Sequence, residues 1–260
     1  MVTGPTNLGG LGFNFKWNMG WMNDVLNYVS TDPIYRKYHH NQLTFSMMYA
    51  FSENYVLPIS HDEVVHGKCS LINKMPGDYW DKFAGVRAFL GYMMAHPGKK
   101  LNFMGTEFGQ FKEWNYEEGV EFFLKEYPLH AKLSKTVQAL NEYYKKTPAF
   151  YEIEDCWDGF EWLAPDDGNS NFLAFMRIDK SGNKTVVLLN FSGGDICGYR
   201  LGVEKGKYQV SFNSDSSAFG GSGKIKRRIY NAQKSWSHGK EYSIQFDIPK
   251  LTCVYLTKIN

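Results

Sequence analysis

The sequence is poor in cysteine, in long apolar runs and in net charge, and each shortage excludes a class of protein. Its four cysteines show no Cys-x-x-Cys spacing, so we expect neither a zinc knuckle nor a disulfide framework, and reduced thiols in a cytoplasm fit best. No apolar run reaches about 18 residues and no charged-then-apolar leader opens the chain, so we expect no membrane partner. The net charge of +2 creates no field for nucleic acid, and the basic run 224–228 predicts a solvated loop or strand edge.

What the sequence does contain is ample apolar material for a packed interior. Hydrophobic residues fill 43% of the 260 positions and aromatic residues 17%, which is typical of a globular protein. This length accommodates one large domain or two ordinary ones. We find neither a low-complexity linker nor an internal repeat, so a domain boundary has to come from a change in pattern.

The first part of the chain alternates strand-like and helix-like segments. Apolar runs predict strands at 11–17, 55–60 and 101–104. Apolar residues at helical spacing predict helices at 42–51, from an Asp78 N-cap to the stop signal at 96–98, and at 129–144. Strand and helix alternate three times, which favours parallel βα units with right-handed crossovers.

Beyond about residue 152 the pattern changes to short alternating or aromatic runs. These runs lie at 160–163, 172–178, 185–191, 208–212, 242–248 and 252–256. Clusters of Gly, Asp and Ser separate them, which favours an antiparallel β-sandwich. We therefore predict two domains, an α/β region at 1–152 and an all-β region at 153–260.

One stretch of the first region ends in a cluster of polar side chains. Residues 55–68, YVLPISHDEVVHGK, begin as a buried strand and finish in titratable groups. Ligands of parallel α/β sheets bind outside the carboxyl ends of the strands. His61 and Asp62 would therefore lie at a binding edge.

Three interpretations compete for this cluster. Metalloprotease helices place two His four residues apart, whereas His61 and His66 are five apart, roughly 140° around a helix, which disfavours a metal site. A satisfied polar strand end with no catalytic task is common. The third interpretation is carbohydrate chemistry, in which a carboxylate and an imidazole hold sugar hydroxyls. The residues alone leave the last two open.

A resemblance favours the third interpretation. Residues 57–68 are similar to the fourth conserved region of the α-amylase family, in the version carried by glycogen (1,4-α-glucan) branching enzymes. Further similar segments follow in the family's order: GGLGFNFKWNMGWM at 9–22, RKYHHNQLTF at 36–45, KMPGD at 74–78, AHPGKK at 95–100, FMGTEFGQ at 103–110 and EWN at 113–115. The series covers most of residues 7–165, and the remainder resembles the family's C-terminal domain more weakly.

The resemblance implies that the three βα units are strands six to eight of a (β/α)8 barrel, followed by the sandwich. A closed barrel needs eight such units, so we expect this chain to be the C-terminal part of a longer enzyme, with the missing N-terminal half as its partner. In the family, the nucleophilic Asp and the acid/base Glu follow earlier barrel strands, which would lie upstream of Met1.

The residues themselves argue against a complete catalytic pair in the polar cluster. Retaining cleavage of a glycosidic bond needs two carboxyl groups about 5 to 5.5 Å apart. Consecutive residues of an extended strand end, such as Asp62 and Glu63, would face opposite sides. We therefore expect at most one of the two to face the site.

By resemblance, Asp62 would bond sugar hydroxyls at the donor subsite and favour the distorted ring of the transition state, and His61 would contact neighbouring hydroxyls. Core packing is the alternative for the aromatic candidates near them, and loop anchoring is the alternative for Glu107. The predicted substrate contacts are Lys16, Trp17, Met19, Trp21, Gln110, Trp114 and Asn115.

The function implied for the parent enzyme is to cut an α-1,4-linked glucan, hold it covalently and transfer it to a 6-hydroxyl. The partner is then an α-glucan, and neither cofactor nor metal is implied. The alternatives are an α-glucan hydrolase of amylase or debranching type and, for this chain alone, a non-catalytic glycan-binding or packing module. We expect the isolated chain to be inactive and to self-associate, because an unclosed barrel exposes strand edges.

Overall fold

Three short parallel strands lie side by side in the computed structural model, which describes residues 1–226 and 228–259. They are β1 (Lys16–Trp17), β2 (Tyr55–Ile59) and β3 (Lys99–Asn102), in the order β1-β2-β3. The register joins Lys16 to Tyr55 and Ile59 to Asn102. The predicted run of three parallel βα units is confirmed.

Five α-helices accompany this sheet, and two of them begin at a side-chain cap. Asp78 accepts a hydrogen bond from the Asp81 N–H at 2.8 Å, as predicted, and Asn18 accepts one from the Trp21 N–H at 3.0 Å. Such caps satisfy backbone donors that a helix leaves free. The helices are α1 (Met19–Ser30), α2 (Asn41–Thr44), α3 (Leu71–Lys74), α4 (Tyr79–Ala95) and α5 (Pro128–Lys146).

Three sequence predictions for this region were wrong in part. Residues 11–15 form no strand, because the N–H groups of Leu11 and Phe13 bond to the carbonyls of Met1 and Val2 in a local loop. The predicted helix at 42–51 is divided into α2 and a 3-10 helix, Phe45–Met48. Helix α1 was missed, although its buried residues recur at helical spacing from Trp21 to Val29.

The second half of the chain forms two antiparallel sheets. One has six strands in the order β4-β5-β6-β12-β8-β9, and the other has three in the order β10-β11-β7. Their bounds are β4 (Phe160–Ala164), β5 (Phe172–Ile178), β6 (Lys184–Asn190), β7 (Ile196–Val203), β8 (Lys207–Asn213), β9 (Ile229–Asn231), β10 (Gln233–Ser237), β11 (Lys240–Ile248) and β12 (Thr252–Ile259). The predicted sandwich is confirmed, but β7, β9 and β10 were missed because they are short or interrupted by glycine.

The six-stranded sheet is buried on both faces. Met176 and Val186 face the other sheet of the sandwich, whereas Phe175 and Val187 join a core that extends to α4. Residues that alternate along a strand point to opposite faces, so one sheet supplies both cores. The boundary near residue 152 stays a prediction, since apolar packing is continuous across it.

A buried arginine also joins the two regions. Arg177 of β5 is fully buried and donates to the carbonyls of Ala95 at 2.7 Å, Gly159 at 3.0 Å and Ile153 at 3.1 Å. Burial lowers the pKa of its guanidinium to about 10, against the opposing attraction of Glu154. Its hydrogen bonds tie the end of α4 to the chain segment that leads into the sandwich.

Two expectations concern the protein's surroundings. Across residues 1–226 and 228–259, every helix is too short or too polar to cross a bilayer. Lys224, which opens the predicted basic loop, lies outside helix and strand and its Nζ pairs with Asp195 at 2.5 Å. Arg227, in the middle of that run, lies outside the described residues.

Candidate functional site

A tight turn at the carboxyl end of β2 carries the predicted catalytic side chains. Ser60 is the N-cap of a 3-10 helix, His61–Glu63, and its side chain and that of Glu63 form a reciprocal capping box. His61 Nε2 and Asp62 Oδ1 are 3.2 Å apart, and both side chains are half exposed. The structure therefore brings the predicted imidazole and carboxylate together at the open end of the strand.

The geometry of the adjacent carboxylates differs from the predicted one. An extended strand end would have sent Asp62 and Glu63 to opposite faces, whereas both belong to the 3-10 turn. Glu63 points inward and is 4% exposed, while the Asp62 side chain is 57% exposed. One of the two still faces outward, because Glu63 is drawn inward by the hydrogen bonds of its cap.

An aromatic cluster lies against the imidazole. The centroid of the His61 ring lies 5.6 Å from that of Trp114, which it meets edge-on, and 6.1 Å from that of Phe103. The centroids of Phe103 and Trp114 are 5.4 Å apart. The Trp114 N–H also donates to the Val64 carbonyl at 2.7 Å. The loops that follow β2 and β3 therefore form one rim, with an apolar surface beside the polar pair.

Glu113 anchors the far side of the same rim. Its carboxylate accepts from the N–H groups of Cys69 at 2.7 Å and Gly67 at 3.0 Å, and these bonds lower the pKa of the Glu113 carboxyl. Cys69 has a left-handed backbone, with φ of 64°, which is strained for a residue with a side chain. The charge-assisted bonds to Glu113 stabilise that conformation.

Two predicted polar contacts also serve the loop after β3. Gln110 Oε1 accepts from the Glu121 N–H at 3.1 Å, and Asn115 Oδ1 accepts from the Glu117 N–H at 3.1 Å. These bonds help to hold the loop in place, and a role for either residue in binding substrate stays a prediction.

Three further candidates lie at the carboxyl end of β1, beside β2. Trp17 and Met19 are each 42% exposed, whereas Lys16 Nζ is paired with Glu53 at 3.2 Å. Glu53 also accepts from the N–H groups of Thr3 and Val2, and these bonds lower its pKa to about 2. Trp17 and Met19 present free surface at this edge, while Lys16 is already engaged.

The prediction for Trp21 was wrong. Its side chain is fully buried in α1, with ring centroids 6.3 Å from Phe89 and 6.4 Å from Tyr92. The Asn18 cap starts the helix two residues after β1, and this rotates Trp21 into the core. Trp21 therefore supports the helix and cannot meet a substrate.

Several residues that shape the site were missed from the sequence. The spacing of Ser60 and Glu63 is the Ser-x-x-Glu signature of a capping box and was available as a signal. Phe103 and Glu113 carried no comparable local signal, because their partners lie on another loop. In the described parts of the chain, 1–226 and 228–259, no three His, Cys, Asp or Glu side chains form a group able to hold a metal ion.

Comparison with known proteins supports the fold. Residues 162–258 match the family model described as "Alpha amylase, C-terminal all-beta domain". The chain superposes on a solved α-amylase from H. orenii with a TM-score of 0.61 at 15% identity, covering 95% of this chain and 49% of that one. A pullulanase from Anoxybacillus sp. LM18-11, solved in complex with maltotetraose, gives 0.63 at 15% identity, covering 94% and 35%. The chain therefore has the fold of the corresponding part of these solved structures, and residues 162–258 are similar in sequence to an α-amylase C-terminal domain.

Curated proteins that are similar to this chain in sequence include branching enzymes. The chain is 52% identical to the 1,4-alpha-glucan branching enzyme GlgB of Halothermothrix orenii over all of its own length. It spans 42% of that relative. The chain is therefore a homologue of one part of the branching enzymes.

Proposed function

We propose that this chain is the C-terminal part of a 1,4-α-glucan branching enzyme of glycogen biosynthesis. The observation that carries the proposal is the His61–Asp62 pair, which lies half exposed beside Trp114 in a chain homologous to branching enzymes. In the parent reaction, a carboxylate attacks the anomeric carbon and the 4-hydroxyl leaves with a proton. The 6-hydroxyl of a second chain then displaces the carboxylate and gives its proton to the group that acted as the acid, and the two displacements together retain the configuration.

Asp62 stabilises the transition state of both steps without forming a covalent bond. An ionised carboxylate accepts hydrogen bonds from two sugar hydroxyls, and these bonds strengthen as the ring flattens and gains positive charge. The Asp62 side chain is 57% exposed, and only its Oδ1 lies near the His61 imidazole, 3.2 Å from Nε2, so its carboxylate keeps acceptor capacity for this role. His61 in turn donates to an adjacent hydroxyl.

The substrate is an α-glucan. The aromatic faces of Trp17 and Trp114 offer platforms for glucose rings, with Lys16, Met19, Gln110 and Asn115 around them. The pullulanase with a similar fold was solved with maltotetraose, which is consistent with a glucan at this edge. Nothing in the proposed chemistry requires a cofactor.

The enzyme is completed by further polypeptide that carries the nucleophile and the acid/base. A (β/α)8 barrel has eight strands, and the parallel sheet here has three. The upstream half of the enzyme would add the remaining strands and close the active site. The thiols of Cys69 and Cys197 are free and exposed, which supports a reducing cytoplasm as its location.

Amylose treated with the complete enzyme tests the proposal. Branching shifts the iodine-stain spectrum without releasing reducing ends, whereas hydrolysis releases them. We expect Asp62→Ala to lower the rate by about a thousandfold or more, because a charged transition-state contact is lost. The control is Asp158→Ala, which removes an exposed carboxylate of the second region and should leave the rate unchanged.

Two results contradict the proposal. Release of reducing sugar at the rate of the spectral shift would identify a hydrolase. An Asp62→Ala rate within about tenfold of wild type, or roughly 1.4 kcal/mol, would remove Asp62 from the transition state.

A further inference from the structure

The carboxylate next to Asp62 is almost completely buried, and the proposed reaction gives it no task. Glu63 Oε2 accepts two hydrogen bonds, from the Ser60 N–H at 2.5 Å and from the Ser60 hydroxyl at 2.6 Å. Ser60 itself is 2% exposed. Burying a carboxylate is costly unless its oxygens are bonded, so these two bonds are what keeps Glu63 inside the turn.

The Ser60 hydroxyl links the Glu63 carboxylate to the backbone amide of Asp62. A hydroxyl has one proton to donate, and Glu63, when ionised, can only accept. The proton of Ser60 Oγ therefore points to Glu63, and its lone pairs are left to accept the Asp62 N–H at 3.3 Å. The result is a directional chain in which the Asp62 amide bonds to Ser60 and Ser60 bonds to Glu63.

The same turn is held at its other end by backbone bonds. The Val64 N–H donates to the His61 carbonyl at 3.0 Å, and the Val64 carbonyl accepts from the Trp114 N–H. The Asp62 side chain projects from a backbone that is tied on both sides of it. Where its carboxylate meets a sugar is therefore set by the turn.

We propose that Glu63 is a positioning residue that acts through Ser60 to hold Asp62 in register with the sugar. The inference rests on the proposed function of Asp62. Glu63 touches no substrate, and its ionised carboxylate is required because charge-assisted bonds are about twice as strong as neutral ones. A neutral amide of the same shape keeps the volume and weakens the chain.

The test uses the complete enzyme with amylose as donor. Glu63→Gln should lower kcat by about 10- to 100-fold and change KM by less than about threefold, because ground-state binding does not depend on this register. Ser60→Ala should act in the same direction. In an Asp62→Ala background, Glu63→Gln should slow the enzyme by less than about threefold further, since residues that act as a unit are not additive.

A matched control separates positioning from stability. Asp179 is also a buried carboxylate that caps a turn, accepting from the N–H groups of Ser181 at 2.9 Å and Asn183 at 2.8 Å, but it lies in the sandwich. Asp179→Asn should lower the melting temperature and leave kcat unchanged. If Glu63→Gln does not fold, Ser60→Ala and its double variant with Asp62→Ala decide the question.

Hydrogen exchange at the Asp62 amide gives a readout that does not need activity. Glu63→Gln should accelerate this exchange, and Asp179→Asn should not. Multiplied losses in the double variant, a wild-type kcat in Glu63→Gln, or unchanged exchange would each overturn the positioning role. Failure of the proposed function is a separate result, because it would appear as a rate near wild type in the Asp62→Ala variant, whatever Glu63→Gln does.

Discussion

The two regions of the molecule differ in how their strands are paired and in how their apolar side chains are covered. In the sandwich, nine strands pair in two sheets around a core of their own. In the first region, β1 and β3 each pair with β2 alone among the described strands, and exposed apolar side chains occur along 1–19 and 34–48. The first region has surfaces suited to further polypeptide, because free strand edges and large apolar patches are normally covered.

The two regions are nevertheless packed together. Helix α4 lies on the six-stranded sheet, where the Tyr255 hydroxyl donates to the Gly91 carbonyl at 2.5 Å, and Arg177 reaches back from β5 to the end of the helix. The sandwich pairs its described strands within its own two sheets, but its six-stranded sheet also shares a core with α4, so each region covers apolar surface of the other. Three sets of substitutions test these differences between the regions.

The largest expected effect comes from removing the arginine that joins the halves. Arg177→Met leaves three carbonyls, two of them buried and one partly buried, without their donor, so we expect the free energy of unfolding to fall by about 3–5 kcal/mol. Urea denaturation followed by circular dichroism measures it.

The control for that change is Arg200→Met in the same sandwich. Arg200 is half-buried and its guanidinium bonds to the side chains of Ser243 and Gln245 rather than to buried carbonyls, so the loss should stay under about 1 kcal/mol. Similar decreases in the free energy of unfolding for the two variants would show that Arg177 contributes no more to stability than Arg200 does.

A smaller effect is expected where α4 packs against β12. Gly91→Ala would normally stabilise a helix by about 1 kcal/mol. Here the added Cβ would lie 2.6 Å from Cys253 Sγ and 2.8 Å from Cys253 Cβ. We expect a net loss of about 1–3 kcal/mol in thermal denaturation, because the packed core cannot accept the extra atom.

Gly85 of the same helix is the matched control. The three atoms nearest to its added Cβ would all belong to the flexible side chain of Met75, with Sδ at 3.1 Å. Gly85→Ala should therefore be neutral or slightly stabilising. A stabilised Gly91→Ala variant would mean that α4 and β12 are less closely packed than described.

The last set of substitutions should change self-association and should change stability the least. We expect the isolated chain to self-associate with rising concentration in light scattering, and Leu11→Ser with Phe13→Ser to reduce it, since both side chains are exposed in the open region. Trp236→Ser removes an exposed aromatic of the sandwich and should have little effect. A monodisperse monomer at all concentrations would contradict the expectation.

Local patterns predicted the features that depend on local chemistry. The Asp78 cap, the parallel βα order and most sandwich strands follow from periodicity and turn residues. Trp21 was misplaced because its orientation depends on the Asn18 cap and on the rings of Phe89 and Tyr92. Strand β9 was missed because it has three residues and is identified only by its pairing with β8.

Motifs and short-range periodicity were enough to predict the family resemblance, the fold class and the positions of His61 and Asp62 at a strand end. Only the tertiary structure decided which carboxylate faces outward, that Phe103 and Trp114 flank the imidazole, and that Arg177 joins the two regions. Those outcomes depend on contacts between segments distant in the chain, where burial and hydrogen-bond partners are set by packing.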